Sequence, residues 1–144
     1  MKYWLIKSEP HVWSWEDQVK NEVTFWDGVR NYQASNNLKT MEVGDLAFFY
    51  HSGDERQIVG IVEVVKPYYP DPSDPSGRFG MVDVKAVKPF PRPVTLKDIK
   101  ADPNLQALSL VRQSRLSVMP IDTKSWETLI HMGKVATNPS DTDG

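Results

Sequence analysis

The segment from Phe25 to Asn37, FWDGVRNYQASNN, brings aromatic, guanidinium and carboxamide side chains together around a turn. A nucleobase offers a π face for stacking and an edge of hydrogen-bond donors and acceptors. The side chains that match these two properties are Trp26, Arg30, Asn31, Tyr32, Gln33 and Asn36. The segment therefore indicates base recognition. An alternative is a capped helix start, in which Trp26 is core packing and the amides bond to the backbone.

Polar side chains also follow the first predicted strand. Ser8 and Glu9 come directly after it, where a hydroxyl or a carboxylate can accept a hydrogen bond from an amino group such as the exocyclic amine of cytosine. For Glu9 the alternative is an ion pair with Lys7 or Arg30, because a buried carboxylate needs a partner. Ser8 has the alternative of a capping role. We assign Tyr3, Trp4 and Trp13 to packing.

His51 is the residue that most invites a catalytic interpretation, since Asp54 and Glu55 lie close to it in the chain. That spacing matches no known metal-ligand pattern, and we expect a hydrogen-bonding or turn role instead. The sequence contains no glycine-rich phosphate loop, GxSxG or HExxH motif. It therefore predicts no enzyme, no metal site and no cofactor. The competing hypothesis is a nuclease or base-modifying hydrolase that uses His51 with Glu9 or Asp54.

Two arginines, Arg112 and Arg115, are three positions apart near the end of the chain. This spacing can direct both guanidinium groups towards a phosphate backbone, and salt bridges within the fold are the alternative. The formal net charge of −2 argues against a protein that coats nucleic acid through phosphate contacts alone. Any nucleic-acid site must therefore be local.

The bulk properties indicate one domain over 1–135, followed by a polar tail, 136–144, which we expect to be flexible. Cys is absent, so the chain has no disulfide or thiolate site, and we expect a cytoplasmic protein, or a nuclear one in a eukaryote. No apolar run reaches the ~20 residues that a membrane-spanning helix needs, so we expect no membrane association.

The hydrophobic pattern predicts a β-rich unit with helices between its strands. We expect strands at 2–7, 45–50, 57–66, 81–90 and 115–121, with Pro120 placing the last one at an edge, and a long loop at 67–80. Helices are predicted after Ser14, over 31–41, after Thr95, near 105–110 and after Asp122. Trp15 and Val19 should face inward in the first helix, and Trp126, Leu129 and Ile130 in the last.

Four blocks of the sequence together carry a family resemblance. They are KSEP at 7–10, WDGVRNYQASNNL at 26–38, GDLAFFYHS at 44–52 and RLSV at 115–118. In content, order and spacing they resemble the EVE domain family. The resemblance implies an α+β fold, a PUA-like β pseudo-barrel of about five to six strands with short helices between strands, related to the PUA, ASCH and YTH domains.

The resemblance also implies a function, which is the binding of nucleic acid through a modified base. EVE domains are thought to read bases such as methylcytosine and hydroxymethylcytosine, and they often accompany restriction or RNA-modification systems, whose proteins are the implied partners. We expect that a flipped base of DNA or RNA enters an aromatic pocket of the protein. The alternative is an RNA-modification-associated binding protein. The implied site residues are Lys7, Ser8, Glu9, Trp26, Arg30, Asn31, Tyr32, Gln33, Asn36, Tyr50, His51, Ser52, Arg115 and Ser117.

The chain departs from the family pattern at two positions. Ser35 stands where many relatives carry Arg, which removes one guanidinium and predicts a lower affinity for phosphate or base. Phe79 stands where Trp is commoner, and we expect it to keep the packing role.

Overall fold

The structure is a computed structural model that describes residues 1–136. Apart from Ala136, the predicted flexible tail lies outside the described residues. Ala136 itself is tied to the fold, because its carbonyl accepts a hydrogen bond of 3.0 Å from Lys88 Nζ. None of the described helices is long and apolar enough to cross a membrane.

Within the described part of the chain, six strands form one sheet in the order β2-β5-β4-β3-β1-β6. Their bounds are β1 Tyr3–Ser8, β2 Val23–Trp26, β3 Leu46–His51, β4 Gln57–Pro70, β5 Gly80–Thr95 and β6 Val118–Ile121. The pair β1–β3 is parallel and the other pairs are antiparallel. The predicted α+β class and strand number are confirmed, and so is the edge position of the strand that contains Pro120.

Residues 1–136 contain five short helices, of which the first four lie between strands and the fifth follows β6, and a 3₁₀ turn, Pro103–Leu105, lies between α3 and α4. Their bounds are α1 Trp15–Asn21, α2 Tyr32–Thr40, α3 Leu96–Ala101, α4 Ser109–Arg112 and α5 Thr123–Met132. The predicted caps are present. The side chains of Ser14, Thr95 and Asp122 each accept a hydrogen bond from the backbone N–H three residues later. These local signals therefore set where the helices begin.

The core contains fully buried aliphatic and aromatic side chains of β1, β3 and β4, and α5 closes it on one side. Trp126 of α5 stacks on Phe48 of β3 with ring centroids 3.8 Å apart, and Tyr3 stacks on Trp126 at 4.4 Å. The inward face predicted for α5 is confirmed, since Trp126, Leu129 and Ile130 are all buried.

Four elements, β2, β4, β5 and α1, differ from the sequence prediction. Strand β2 was not predicted, because only four residues form it and their stability depends on pairing with β5. Strand β4 extends into the predicted loop 67–80 as far as Pro70, which leaves a shorter connection at 71–79, and β5 continues past its predicted end at 90 to Thr95. In α1 the inward residue beside Trp15 is Gln18, which is fully buried, whereas Val19 is exposed. The prediction for Val19 is therefore wrong.

Candidate nucleic-acid interface

A cavity of about 320 Å³ opens where the end of β1 approaches β2. We name it the Trp26 cavity. It is lined by Lys7, Ser8, Val12, Trp13, Thr24, Phe25, Trp26 and Asp27. This volume lies at the small end of the range for ligand pockets, which is roughly 300–1,000 Å³.

Trp26 joins this cavity to the core. The indole is 7% exposed and meets the ring of Phe49 edge-on, with centroids 5.4 Å apart and planes at 84°. Core packing therefore fixes the ring, while a small part of it remains at the cavity wall. A ring held in this way loses little conformational entropy when a planar ligand stacks on it.

Lys7 and Ser8 reach the cavity from the end of β1. The parallel register with β3 places Lys7 beside Tyr50 and Ser8 beside His51. Burial lowers the pKa of the Lys7 ammonium, which donates a hydrogen bond of 3.0 Å to the carbonyl of Ser114. The Ser8 hydroxyl donates to the carbonyl of Trp13 at 2.7 Å and so supports the loop that carries this residue.

Trp13 is a cavity residue that sequence reasoning missed, since it was assigned to packing. Its Nε1–H donates to Oε1 of the buried Gln18 at 2.9 Å. Gln18 in turn donates to the carbonyls of Glu22 and Val84 at 3.0 and 3.4 Å. Thr24, Phe25 and Asp27 were also missed as lining residues. The available signals were the position of Trp13 just after the KSEP block and the exposed aromatic Phe25 beside Trp26.

Glu9 shapes the same loop but does not line the cavity. Its carbonyl accepts hydrogen bonds of 2.9 Å from the backbone N–H groups of Val12 and Trp13. Its exposed carboxylate lies 3.1 Å from Nε2 of His11, so among the described residues the alternative, an ion pair with Lys7 or Arg30, is not formed. Ser117, the residue before β6, lies beside the end of β1. Its carbonyl accepts a hydrogen bond of 2.9 Å from the backbone N–H of Lys7.

Arg30 is engaged with the connection 71–79. Its Nη1 lies 3.2 Å from Oδ2 of the buried Asp71, and its Nη2 donates to the Ser73 hydroxyl at 3.0 Å. Gly28, at φ +76°, donates its N–H to the same Asp71 oxygen at 2.9 Å. Burial raises the pKa of Asp71, but hydrogen bonds from Ser73, Gly28 and Arg30 outweigh it and lower the pKa to about 2.

Tyr32 contacts the same connection from the first turn of α2. Its ring centroid lies 5.2 Å from that of Phe79, and its hydroxyl accepts a hydrogen bond of 3.3 Å from Arg78. Arg30 Cζ lies 5.6 Å from the Phe79 ring. Phe79 is buried, so the expected packing role is confirmed.

The carboxamides of α2 lie apart from the Trp26 cavity. Asn31 caps the helix by accepting the N–H of Ala34 at 2.9 Å. Asn31 and Gln33 line a second cavity, also of about 320 Å³, together with Arg115. Asn36 is exposed on α2 and lines neither cavity. Ser35 is 2% exposed, and among the described residues its hydroxyl has no hydrogen-bond partner.

Tyr50, His51 and Ser52, at the end of the neighbouring strand β3, do not line the cavity. Burial raises the pKa of Tyr50 to about 12. His51 Nε2 accepts the backbone N–H of Trp15 at 3.0 Å, and its Nδ1 lies 2.9 Å from Glu55 Oε1. Ser52 donates its backbone N–H to the carbonyl of Ser8 at 2.9 Å. Together these residues hold the ends of β1 and β3 and the start of α1 in place.

The two contacts of His51 define its tautomer. A backbone N–H can only donate, so Nε2 must be unprotonated and Nδ1 must carry the hydrogen that Glu55 accepts. The hydrogen bond from His51 lowers the pKa of Glu55. Both ring nitrogens are therefore engaged in hydrogen bonds within the fold. Within residues 1–136, no group of three or more His, Asp or Glu side chains could hold a metal ion.

The EVE domain family model matches residues 2–132. The chain belongs to the EVE domain family. The resemblance seen in the four sequence blocks is thereby confirmed.

Relatives of this EVE domain come from animals and bacteria. Thymocyte nuclear protein 1 of Gallus gallus is 37% identical over an alignment of 164 residues in length. The alignment covers 90% of this chain and 68% of that protein. The crystal structure of an Agrobacterium tumefaciens protein has 45% identity and a TM-score of 0.92, with coverage of 96% and 97% of the two chains. Human THYN1 in complex with 5-methylcytosine-containing DNA has 31% identity and a TM-score of 0.85, with coverage of 94% and 99%. These structures confirm the PUA-like fold class.

Proposed function

We propose that this EVE domain is a non-catalytic reader that binds DNA containing a modified cytosine, and that the modified base leaves its stack and enters the Trp26 cavity. The observation that carries the proposal is the Trp26 indole, anchored by Phe49 at the wall of a cavity that Lys7 and Trp13 also line. The human relative in complex with 5-methylcytosine-containing DNA supports the choice of ligand.

Stacking energies favour this arrangement. Extruding a base costs a few kcal/mol, and stacking on an aromatic ring returns ~1–3 kcal/mol per base. Trp26 provides such a ring, and the half-buried Trp13 offers a second aromatic surface in the same cavity. The indole surfaces therefore offset much of the extrusion cost.

Apolar side chains at the cavity supply the preference for a methylated base. Val12 and Phe25 are exposed and line the cavity. Burying one methyl-sized group against such side chains is worth about 0.8 kcal/mol, which corresponds to a roughly fourfold higher affinity. A modest preference for methylcytosine over cytosine follows.

Polar side chains orient the base. Lys7 is a donor for the carbonyl oxygen of cytosine, and Asp27 is a carboxylate acceptor for its exocyclic amine. Asp27 thus takes the role first assigned to Glu9, which does not line the cavity. Ser8 positions Trp13 through the hydrogen bond to its carbonyl. Tyr50, His51 and Ser52 support the site by holding the ends of β1 and β3 and the start of α1.

A binding screen tests the proposal. Duplexes of one sequence carrying cytosine, 5-methylcytosine or 5-hydroxymethylcytosine, and RNA oligonucleotides with the matching modifications, are titrated with the protein by fluorescence anisotropy. We expect the modified DNA to bind most tightly. Equal affinity for all the DNAs would contradict the proposal, and tightest binding to modified RNA would favour the RNA-modification alternative. Unchanged oligonucleotide mass after incubation with Mg²⁺ is expected of a reader.

Variants locate the site. Trp26→Ala should weaken binding of modified DNA by roughly 5- to 150-fold, the equivalent of one lost stacking contact. Because this indole also packs in the core, thermal melting must show that the variant is folded. Lys7→Gln leaves the core intact and should also weaken binding. Lys97→Gln, which replaces an exposed lysine of α3 that lines a different cavity, is the control.

Cellular context follows from the same proposal. We expect the protein to act in the cytoplasm, or in the nucleus of a eukaryote, with restriction or RNA-modification proteins as partners. Affinity capture from cells of the source organism, with and without nuclease treatment, tests whether such proteins bind it directly.

A further inference from the structure

A groove of about 320 Å³ lies between the start of α2 and the segment that connects α4 to β6. It is lined by Asn31, Gln33, Arg112, Gln113, Ser114, Arg115 and Leu116, and we name it the Arg115 groove. Its lining contains two guanidinium groups, three carboxamides and one hydroxyl, but no carboxylate. These are the donor types that bind phosphate oxygens.

The absence of carboxylates from this lining contrasts with the composition of the chain, which has 19 acidic and 17 basic residues. Elsewhere, cationic side chains share a cavity with acidic ones. Arg92 lines a cavity with Asp98 and Asp102, and Lys97 and Lys100 line another with Asp54 and Glu55. In the Arg115 groove no lining carboxylate offsets the two positive charges.

The donors of the groove remain available for a ligand. Arg115 is exposed, and among residues 1–136 no side-chain hydrogen bond or ion pair engages its guanidinium. Arg112 uses only Nε for a contact with the described residues, and this nitrogen donates to the carbonyl of Gln106 at 3.2 Å. The cap contact of Asn31 uses its Oδ1, so its amide NH₂ is still a donor.

One hydrogen bond connects this groove to the Trp26 cavity. Lys7, which lines the cavity, donates its Nζ hydrogen to the carbonyl of Ser114, which lines the groove, at 3.0 Å. The two openings are therefore neighbours. A nucleotide whose base has left the stack keeps its phosphates outside the pocket, next to whichever surface borders the opening.

We infer that the Arg115 groove binds the phosphodiester backbone beside the nucleotide whose base occupies the Trp26 cavity. Arg112 and Arg115 pair with phosphate oxygens, and the amides of Asn31 and Gln33 donate to the same group. The inference rests on the proposed function for the identity of the ligand. Among the predicted site residues, it assigns Asn31, Gln33 and Arg115 to backbone contact at the groove and leaves base recognition to the cavity.

The salt dependence of DNA binding tests this division. Each phosphate contact contributes about 0.9 to the slope of log K against log salt for duplex DNA. The variant Arg115→Gln should lower the magnitude of this slope by about one. The double variant, which carries Arg112→Gln and Arg115→Gln, should lower it by about two. Each variant should weaken binding to the modified duplex and to the unmodified duplex by the same factor. The ratio of these two affinities should therefore stay unchanged. Arg92→Gln, an exposed arginine beside Asp98 and Asp102, should leave the slope unchanged.

The inference is overturned if the Arg115 variants keep the parent slope, or if Arg92→Gln lowers it equally. It is also overturned if these variants abolish the preference for the modified duplex while the slope is kept, because the groove would then read the base. Failure of the proposed function has a different signature, which is equal affinity of the parent for both duplexes. In that case the slopes on unmodified DNA still test the groove.

Discussion

Arg30 and Asp71, 41 positions apart in the chain, join the loop before α2 to the connection after β4 through an ion pair of 3.2 Å. The Asp71 side chain is fully buried and also accepts hydrogen bonds from Gly28 and Ser73. Because Gly28 is two residues beyond Trp26, this carboxylate anchors the chain as it leaves the cavity. Arg30 thus has a structural role, in addition to any contact with DNA.

The pH dependence of stability should report this anchor. The pKa of Asp71 is lowered from 3.8 to about 2 in the folded protein, so its stabilisation is complete above about pH 4 and is lost as the pH falls through 2. A shift of this size corresponds to roughly 2 kcal/mol. Asp71→Asn should therefore lower the free energy of unfolding by roughly that amount at neutral pH. The decrease of the unfolding free energy between about pH 4 and 2 should be smaller in this variant than in the parent. Urea unfolding at a series of pH values measures both effects.

Asp54→Asn, a substitution of an exposed carboxylate in the β3–β4 turn, is the control and should keep the parent profile. If Asp71→Asn also unfolds along the parent profile, the carboxylate is not the anchor described above.

His51 should be a stability residue. His51→Ala leaves the N–H of Trp15 without its acceptor, which should cost about 1–3 kcal/mol in unfolding free energy. The ratio of affinities for modified and unmodified duplexes should stay at the parent value, because His51 does not line the cavity. Product formed from an oligonucleotide by the parent protein, and lost in this variant, would instead establish the enzyme hypothesis.

Ser35→Ala should stabilise the protein by about 1 kcal/mol. The Ser35 hydroxyl is buried without a partner among the described residues, and alanine also favours the interior of a helix. The same substitution at Ser14 provides the contrast, since its hydroxyl caps α1 and its loss should destabilise the protein by about 1 kcal/mol. Thermal unfolding of the two variants should shift in opposite directions. A lower melting temperature for Ser35→Ala would mean that the hydroxyl has a partner.

The parts of the fold that were predicted correctly depend on local signals. Ser14, Thr95 and Asp122 are caps because each accepts an N–H only three residues away. The parts that were missed depend on distant partners. Strand β2 exists through its pairing with β5, and the extension of β5 carries prolines that favour a loop prediction.

The candidate site shows the same division. Residue types identified Trp26 and the family resemblance added Lys7, and both line the cavity. Neither identified Trp13, whose position depends on the Glu9 carbonyl and on Gln18. Arg115 and Gln33 line a second opening, separate from Trp26, because the start of α2 lies beside the segment that connects α4 to β6. No short stretch of sequence encodes that meeting. Family resemblance grouped these residues together, and the structure distributes them over two neighbouring surfaces.

The indole N–H signals of the five tryptophans, in a ¹H–¹⁵N correlation spectrum, test the central claim most directly. The Trp26 signal is assigned from its loss in Trp26→Phe, and the protein is then titrated with the 5-methylcytosine duplex. We predict that the Trp26 and Trp13 signals shift, while that of Trp4, held by Asp45 in the core, does not. An unmoved Trp26 signal in a protein saturated with the duplex would contradict base entry into this cavity.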